Sequence, residues 1–298
     1  MDIKRAIIDL APAPVVRLFA APYVAGRGVE SGVLKADEIW NTRKLHSTVD
    51  LLGEEVFKRE DVEATVALYF SMVDALASRP YASISLKPTQ LGIHESEAYC
   101  LENIRKVVTY AAAQRLQVTV DMEDRHFTDV TLRLFKALRD DLDNVGTVLQ
   151  SRLFRTKDDI LALHAKPCRV RICIGIYSEP RAVAYQDKPS MKERLFEHVQ
   201  QLLDHGHYPE IATHDEPLIR RCIDYLDKRG CPKRAYEFQM LLGVPRQQIQ
   251  DEIVSDGRLM RLYVPFAEEW KYAIAYCKRR MAANPMMGAY VLKNLFRS

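Results

Sequence analysis

Asp50, Lys87, Asp121, Gln150, Arg171, His214, Asp215, Gln239 and Tyr263 each stand at or beside the end of a short β-rich run. Nearer the C-terminus, Tyr276, Arg279 and Arg280 follow at i, i+3 and i+4, a spacing that puts them on one helix face beside an apolar stripe of Trp270, Ile274, Cys277 and Met281. Two guanidinium forks and a tyrosine make a clamp for a planar anion, a carboxylate or phosphate. A solvated basic helix end, favourable to the helix dipole, is the alternative. The common phosphate and metal devices are missing: there is no P-loop, no G-x-G-x-x-G and no H-E-x-x-H. His46 and Asp50 share a strand face, but His46 is mid-strand, and His205-Gly206-His207 reads as a solvated turn.

The elements that must position these groups recur along the chain. The runs are 44–50, 81–87, 116–121, 145–150, 168–175, 209–214, 236–241 and 259–265, with ends 24 to 39 residues apart, enough for one helix and two loops each. Between the second and third runs Cys100, Ile104, Val107, Val108 and Ala111 share one helical face. Eight βα units over this length predict an α/β fold, a (β/α)8 TIM-type barrel, with an open doubly wound sheet as the alternative. Active groups of such barrels lie at the C-terminal strand ends, where the polar residues above converge. Residues 1–43 read as an N-terminal helical extension covering the bottom or side of the barrel, and 44–298 as the barrel domain. A helix over 268–283 and a helical tail over 286–297 follow the eighth strand.

Composition narrows the function classes. Of 298 residues, 48% are hydrophobic and 28% charged, which excludes intrinsic disorder. The 43 basic and 40 acidic residues give a net charge of +3 without a concentrated basic face, so no nucleic-acid partner is expected. Six scattered cysteines form no C-x-x-C pair and are expected to be reduced. Charges interrupt the apolar residues of the first 26 positions, so neither a signal peptide nor a spanning helix is expected. The expected location is the cytoplasm, with at most peripheral contact at the inner face of the cell membrane. Residues 5–24, with Lys4, Arg5 and Arg17, are a candidate for that contact; packing on the barrel is the alternative.

From Tyr23-Val24-Ala25-Gly26 onward, the chain resembles the proline dehydrogenase family, most nearly the small monofunctional bacterial enzymes. The stretches that carry the resemblance are Asp50-Leu51-Leu52-Gly53-Glu54, Leu86-Lys87-Pro88-Thr89-Gln90-Leu91-Gly92, Val120-Asp121-Met122-Glu123, Leu149-Gln150-Ser151, Arg171 to Tyr177, Ile211-Ala212-Thr213-His214-Asp215, Glu237 to Leu241, Tyr263-Val264-Pro265 and Arg279-Arg280. The resemblance implies FAD across the strand ends, the last helix folded over the active site, and oxidation of L-proline to Δ1-pyrroline-5-carboxylate by hydride transfer to the flavin, the first step of proline catabolism. It assigns Arg279, Arg280 and Lys87 to the substrate carboxylate, Tyr263 and Tyr276 to the ring pocket, and Asp121 to a place beside them. Gln150, Arg171, Gly175, Tyr177, Thr213, His214 and Gln239 would face the flavin, Gly175 by letting it approach the backbone. A membrane quinone would be the electron acceptor.

Three positions depart from the family pattern. Ile174 stands where R-x-x-K-G has lysine, Ala283 where R-R-x-x-E has glutamate, and Ala267 where glycine usually follows the aromatic residue. A homologue acting on another cyclic imino acid, such as hydroxyproline, and a catalytically impaired barrel acting as an interaction module are therefore alternatives. A metal-dependent barrel hydrolase using Asp50, Asp121, His214 and Asp215 is a more distant one.

Overall fold

A computed structural model describes residues 21–163 and 165–283. Eight parallel strands, β1 (His46–Leu52), β2 (Ala82–Leu86), β3 (Gln117–Val120), β4 (Val145–Gln150), β5 (Arg169–Cys173), β6 (Tyr208–Ala212), β7 (Glu237–Leu241) and β8 (Leu259–Ala267), close in sequential order into a barrel. The helices are α1 (Gly28–Arg43), α2 (Arg59–Leu76), α3 (Glu97–Ala113), α4 (Thr128–Arg139), α5 (Thr156–Leu161), α6 (Lys188–Asp204), α7 (Glu216–Lys228), α8 (Gln247–Ser255) and α9 (Trp270–Ala283). This is the (β/α)8 barrel that the spacing of the runs predicts.

Alternation along the strands decides what faces where. Val49, Leu51, Ile84, Leu86, Val118 and Val120 are buried in the main apolar cluster with residues of the surrounding helices. The residues between them, Thr48, Asp50, Ser83, Ser85 and Thr119, are buried and polar and belong to the lumen. The helices form because their apolar residues repeat at helical spacing, and in α3, α6 and α7 a side chain also caps the first turn. In α3, Ser96 accepts from the Tyr99 N–H at 3.1 Å, and Cys100, Ile104, Val107, Val108 and Ala111 are all buried as the periodicity predicts. In α7, Asp215 accepts from the Leu218 N–H at 3.1 Å, and Leu218, Ile219, Cys222 and Leu226 are buried.

The strand bounds differ from the sequence expectation chiefly at β1, β5, β6, which ends at Ala212, and β8. β5 ends at Cys173 because Gly175 takes φ +95°, outside strand geometry. β1 and β8 run on to Leu52 and Ala267, which pair with one another. The outer side of the β1–β8 seam is covered by α1, which packs against both strands. That leaves α9 free to lie elsewhere. Its Ala273, Tyr276 and Cys277 bury themselves against Val24, Leu52 and Ala267, so this helix caps the C-terminal ends of β1 and β8. The tail over 286–297, Lys4, Arg5 and Arg17 lie outside the described residues.

Candidate active site

Five charged or polar side chains meet at the C-terminal mouth. Asp50, wholly buried on β1, accepts from Lys87 Nζ at 2.6 Å. Lys87, in the residue after β2, also lies 3.4 Å from Asp121 Oδ2 and 3.5 Å from Tyr263 Oη. Tyr263 donates its hydroxyl to Asp121 Oδ2 at 2.7 Å. Arg171 spends all three nitrogens here: Nη1 on Asp121 Oδ1 at 2.6 Å, Nε on Gln239 Oε1 at 2.8 Å and Nη2 on Ser85 Oγ at 3.2 Å. Burial would push the Asp121 carboxyl up, but the Arg171 and Lys87 charges outweigh it and hold it below its ordinary value. Asp50 goes the other way, raised by burial that Lys87 offsets only in part. Burial disfavours the Lys87 ammonium, yet Asp50, Tyr263 and Asp121 keep it charged.

One layer lower, a second ionic network fills the lumen. Arg169 donates to Glu210 at 2.8 Å and Glu237 at 2.9 Å; Arg261 donates to Glu237 at 2.6 Å. Gln239 Nε2 donates to Glu210 at 2.8 Å and Glu237 at 2.7 Å, and so fixes the amide oxygen that receives Arg171. Ordinary barrels fill this space with branched apolar residues. Here Lys87, Arg169, Arg171 and Arg261 face Asp50, Asp121, Glu210 and Glu237, and the buried charges balance. The lower four were missed by sequence reasoning, although a signal existed: Arg169, Glu237 and Arg261 each stand two residues before a strand-end residue and so share its face.

The rim carries the remaining candidates. Gln150, on β4, donates Nε2 to the Glu123 carbonyl at 2.7 Å, while its Oε1 is buried without a partner. Glu123 is itself buried; its carboxylate accepts from Thr89 Oγ1 at 2.6 Å and Thr89 N at 3.2 Å, and desolvation pushes it up to about 7. A β-carbon at Gly175 would collide with Gln150 Oε1, so glycine is required here by the protein alone. Tyr177 is half-buried beyond β5, its carbonyl receiving Arg152 Nη1. Thr213 is buried, with its hydroxyl accepting from the Asp215 N–H at 3.2 Å. His214 Nε2 accepts from the Leu241 N–H at 2.9 Å, which assigns the ring proton to Nδ1. Burial, then Arg280 and Arg246, lower its pKa to about 4, so it is neutral at pH 7.

α9 brings the arginine pair to this mouth. Arg279 pairs with Glu54, which lies beyond the end of β1. Arg280 lies 5.1 Å from the Tyr276 ring centroid, and its Nε is buried without a hydrogen-bond partner. Glu54, Glu123 and Arg152 thus join the site, although the sequence reading gave them no role. Ile174 packs against the apolar core, and Ala267 is buried beneath α9. Ala283 ends α9; its side chain lies outside the described residues.

The suggested metal-ligand set does not assemble. Among the described residues no group of three or more His, Cys, Asp or Glu is placed to hold a metal ion. Asp50 and Asp121 are engaged by Lys87 and Arg171, and Asp215 caps α7 and pairs with Lys192. The turn at His205-Gly206-His207 is less solvated than expected, because His207 is buried and its Nδ1 accepts from the Cys168 N–H at 3.2 Å.

A closed parallel barrel whose mouth gathers cations around two buried carboxylates, under a helix bearing two arginines, defines a (β/α)8 protein with a charged mouth at its strand ends. The family model described as proline dehydrogenase matches residues 33–176 and 185–288, and the chain belongs to the proline dehydrogenase family. It is 31% identical over 295 residues to "Proline dehydrogenase 1" of Bacillus subtilis subsp. natto, covering 99% of this chain and 96% of that one. It is 32% identical over 308 residues to "Proline dehydrogenase" of Deinococcus radiodurans, covering 99% and 98%. Among solved structures, proline utilization A of Bdellovibrio bacteriovorus inactivated by N-propargylglycine shares the fold, with a TM-score of 0.81 and 24% identity over 88% of this chain. This chain spans only 32% of that longer one.

Proposed function

We propose that this protein oxidises L-proline to Δ1-pyrroline-5-carboxylate with FAD as its cofactor. The observation that carries the reading is the convergence of Lys87, Tyr263, Arg279 and Arg280 on one barrel mouth in a chain matched along nearly its whole length by the proline dehydrogenase family. The mouth also fits a flavin. Gln150 Oε1, Arg152 Nε and Arg280 Nε are buried without partners, and His214 has an Nδ1–H to donate, so unused acceptors and donors surround the strand ends. Gln150, Arg171, Gly175, Tyr177, Thr213 and His214 would hold the cofactor, and Gln239 would serve it by fixing Arg171. When bound, the flavin supplies the two-electron oxidant.

The chain's own residues bind, orient and set protonation. Lys87, Arg279 and Arg280 would take the substrate carboxylate, with Arg279 exchanging Glu54 for it. Tyr263, held by Asp121, and Tyr276, on the buried face of α9, would bound the ring. The ring carbon beside nitrogen loses a hydride as the C=N bond forms, so the nitrogen must first lose its ammonium proton and free its lone pair. Cations around the carboxylate favour that deprotonated state and fix the ring in one orientation. By the same resemblance we propose a quinone as the electron acceptor and a cytoplasmic location with peripheral contact at the membrane. No helix among the described residues is long and apolar enough to cross one.

The test is an absorbance spectrum of the purified protein followed by anaerobic addition of L-proline. A flavin spectrum that bleaches with proline is expected. A colourless protein that takes up no added FAD overturns the cofactor assignment; a flavin bleached by hydroxyproline but not by proline moves the substrate to another cyclic imino acid.

A further inference from the structure

Gln150 Oε1, at the end of β4, and Arg152 Nε, two residues further on, are buried and unpartnered polar atoms, an acceptor and a donor. Both side chains border Gly175. The Arg152 Cδ lies 3.1 Å from where a Gly175 β-carbon would stand, and Gln150 Oε1 lies nearer still. Neither group can swing away freely. Gln150 is anchored through Nε2 to the Glu123 carbonyl, and Arg152 through Nη1 to the Tyr177 carbonyl, while the Arg152 backbone N–H donates to the Ile174 carbonyl at 3.3 Å.

Charge bears on Arg152 further. Of the other cations at the mouth, Arg171 is matched by Asp121, Lys87 by Asp50 and Arg279 by Glu54, while Arg280, which like Arg152 has no carboxylate partner among the described residues, lies against the Tyr276 ring of α9. Arg152 has no carboxylate within ion-pair distance among the described residues. Glu179, whose charge reaches it, is already engaged by the Arg125 N–H at 2.9 Å and by Arg125 Nη1 at 3.3 Å. Beside it, Ile174 contributes no charge.

We propose that Gln150, Gly175 and Arg152 form a notch for an imide edge, and that Arg152 is an uncompensated cation that meets the electron-rich pyrimidine side of the flavin. The inference rests on the flavin reading above and adds a residue to it. An imide offers an N–H between two carbonyls, so the N–H would satisfy Gln150 Oε1 while a neighbouring carbonyl satisfies Arg152 Nε. A cation there favours the reduced, more negative ring over the oxidised one, a task that Arg171, neutralised by Asp121, performs poorly.

The experiment measures FAD dissociation constants and flavin midpoint potentials for the unaltered protein, Arg152→Gln and Arg152→Lys. Arg152→Gln should bind FAD roughly tenfold more weakly. A tenfold loss of preference for the reduced form would make its midpoint about 30 mV more negative. Arg152→Lys should recover the potential. As a measurement independent of any variant's folding, FAD methylated at N3 should bind the unaltered protein roughly tenfold more weakly than FAD, since the Gln150 acceptor loses its donor. Equal affinity for the methylated cofactor, or an unchanged potential in Arg152→Gln, overturns the notch while leaving the flavin reading intact. Failure of the unaltered protein to bind FAD overturns both.

Discussion

Replacing Glu123 by glutamine should reverse the sign of its effect on stability between acid and neutral pH. Glu123 is 5% exposed, and burial pushes its carboxyl up to about 7 against the pull of the Thr89 hydrogen bonds and Lys87. In the unfolded chain a glutamate titrates near 4.3. Because the folded pKa is the higher one, the native state keeps a proton that the unfolded state has released. Stability is therefore lost as pH rises from about 4.3 through about 7, by about 4 kcal/mol in total. Glutamine has no such loss. It can still accept from Thr89 Oγ1 but forfeits the second contact, from Thr89 N, at a pH-independent cost of about 1 kcal/mol. The variant should be less stable than the parent by about 0.4 kcal/mol at pH 4.5 and more stable by about 3 kcal/mol at pH 8.5. Urea unfolding of both proteins across this range gives the difference directly, because the other titrating groups cancel. A difference that stays flat from pH 5 to 8 would refute the reasoning and mean that Glu123 is ionised throughout.

Arg279→Met removes one proposed carboxylate ligand and leaves Glu54 unpaired; with Arg279 partly exposed, the expected loss in kcat/KM for proline is about 2 kcal/mol, or roughly 30-fold. Unchanged proline kinetics would remove Arg279 from the substrate site. Gly175→Ala forces a side chain onto φ +95° and into the Gln150 amide, so it should lower thermal stability by about 1 to 3 kcal/mol and weaken FAD binding together. A fall in stability with FAD affinity intact would show that the Gln150 amide does not touch the cofactor.

The sequence made the barrel legible because every strand follows the previous one after a helix-length interval and carries a polar residue at or near its end. Lys87, Asp121, Gln150 and Arg171 could be placed at the mouth on that basis alone. Their pairing could not. Asp50 meets Lys87 and Asp121 meets Arg171 across separations of 37 and 50 residues, set by barrel closure rather than by any local pattern. Arg169, Glu210, Glu237 and Arg261 were hidden for a different reason. Charged residues alternating with apolar ones on a strand ordinarily mark a solvated face, and only the closed lumen turns that face inward. The seam that α1 covers was equally illegible: a helix at the bottom or side of the barrel could be expected, but amphipathic periodicity shows only that a helix has an apolar face.

That seam also constrains how the chain reaches its folded state. β1 and β8 pair over seven residues, His46–Leu52 with Arg261–Ala267, and α1 straddles them from outside. These contacts join segments more than 200 residues apart, while the strand pairings that precede them are sequential. During synthesis β1 therefore waits with one open edge until β8 has left the ribosome, and a nascent chain stopped short of Arg261 would expose two unpaired edges able to recruit other chains. The last strand made is the one that takes the first strand out of danger.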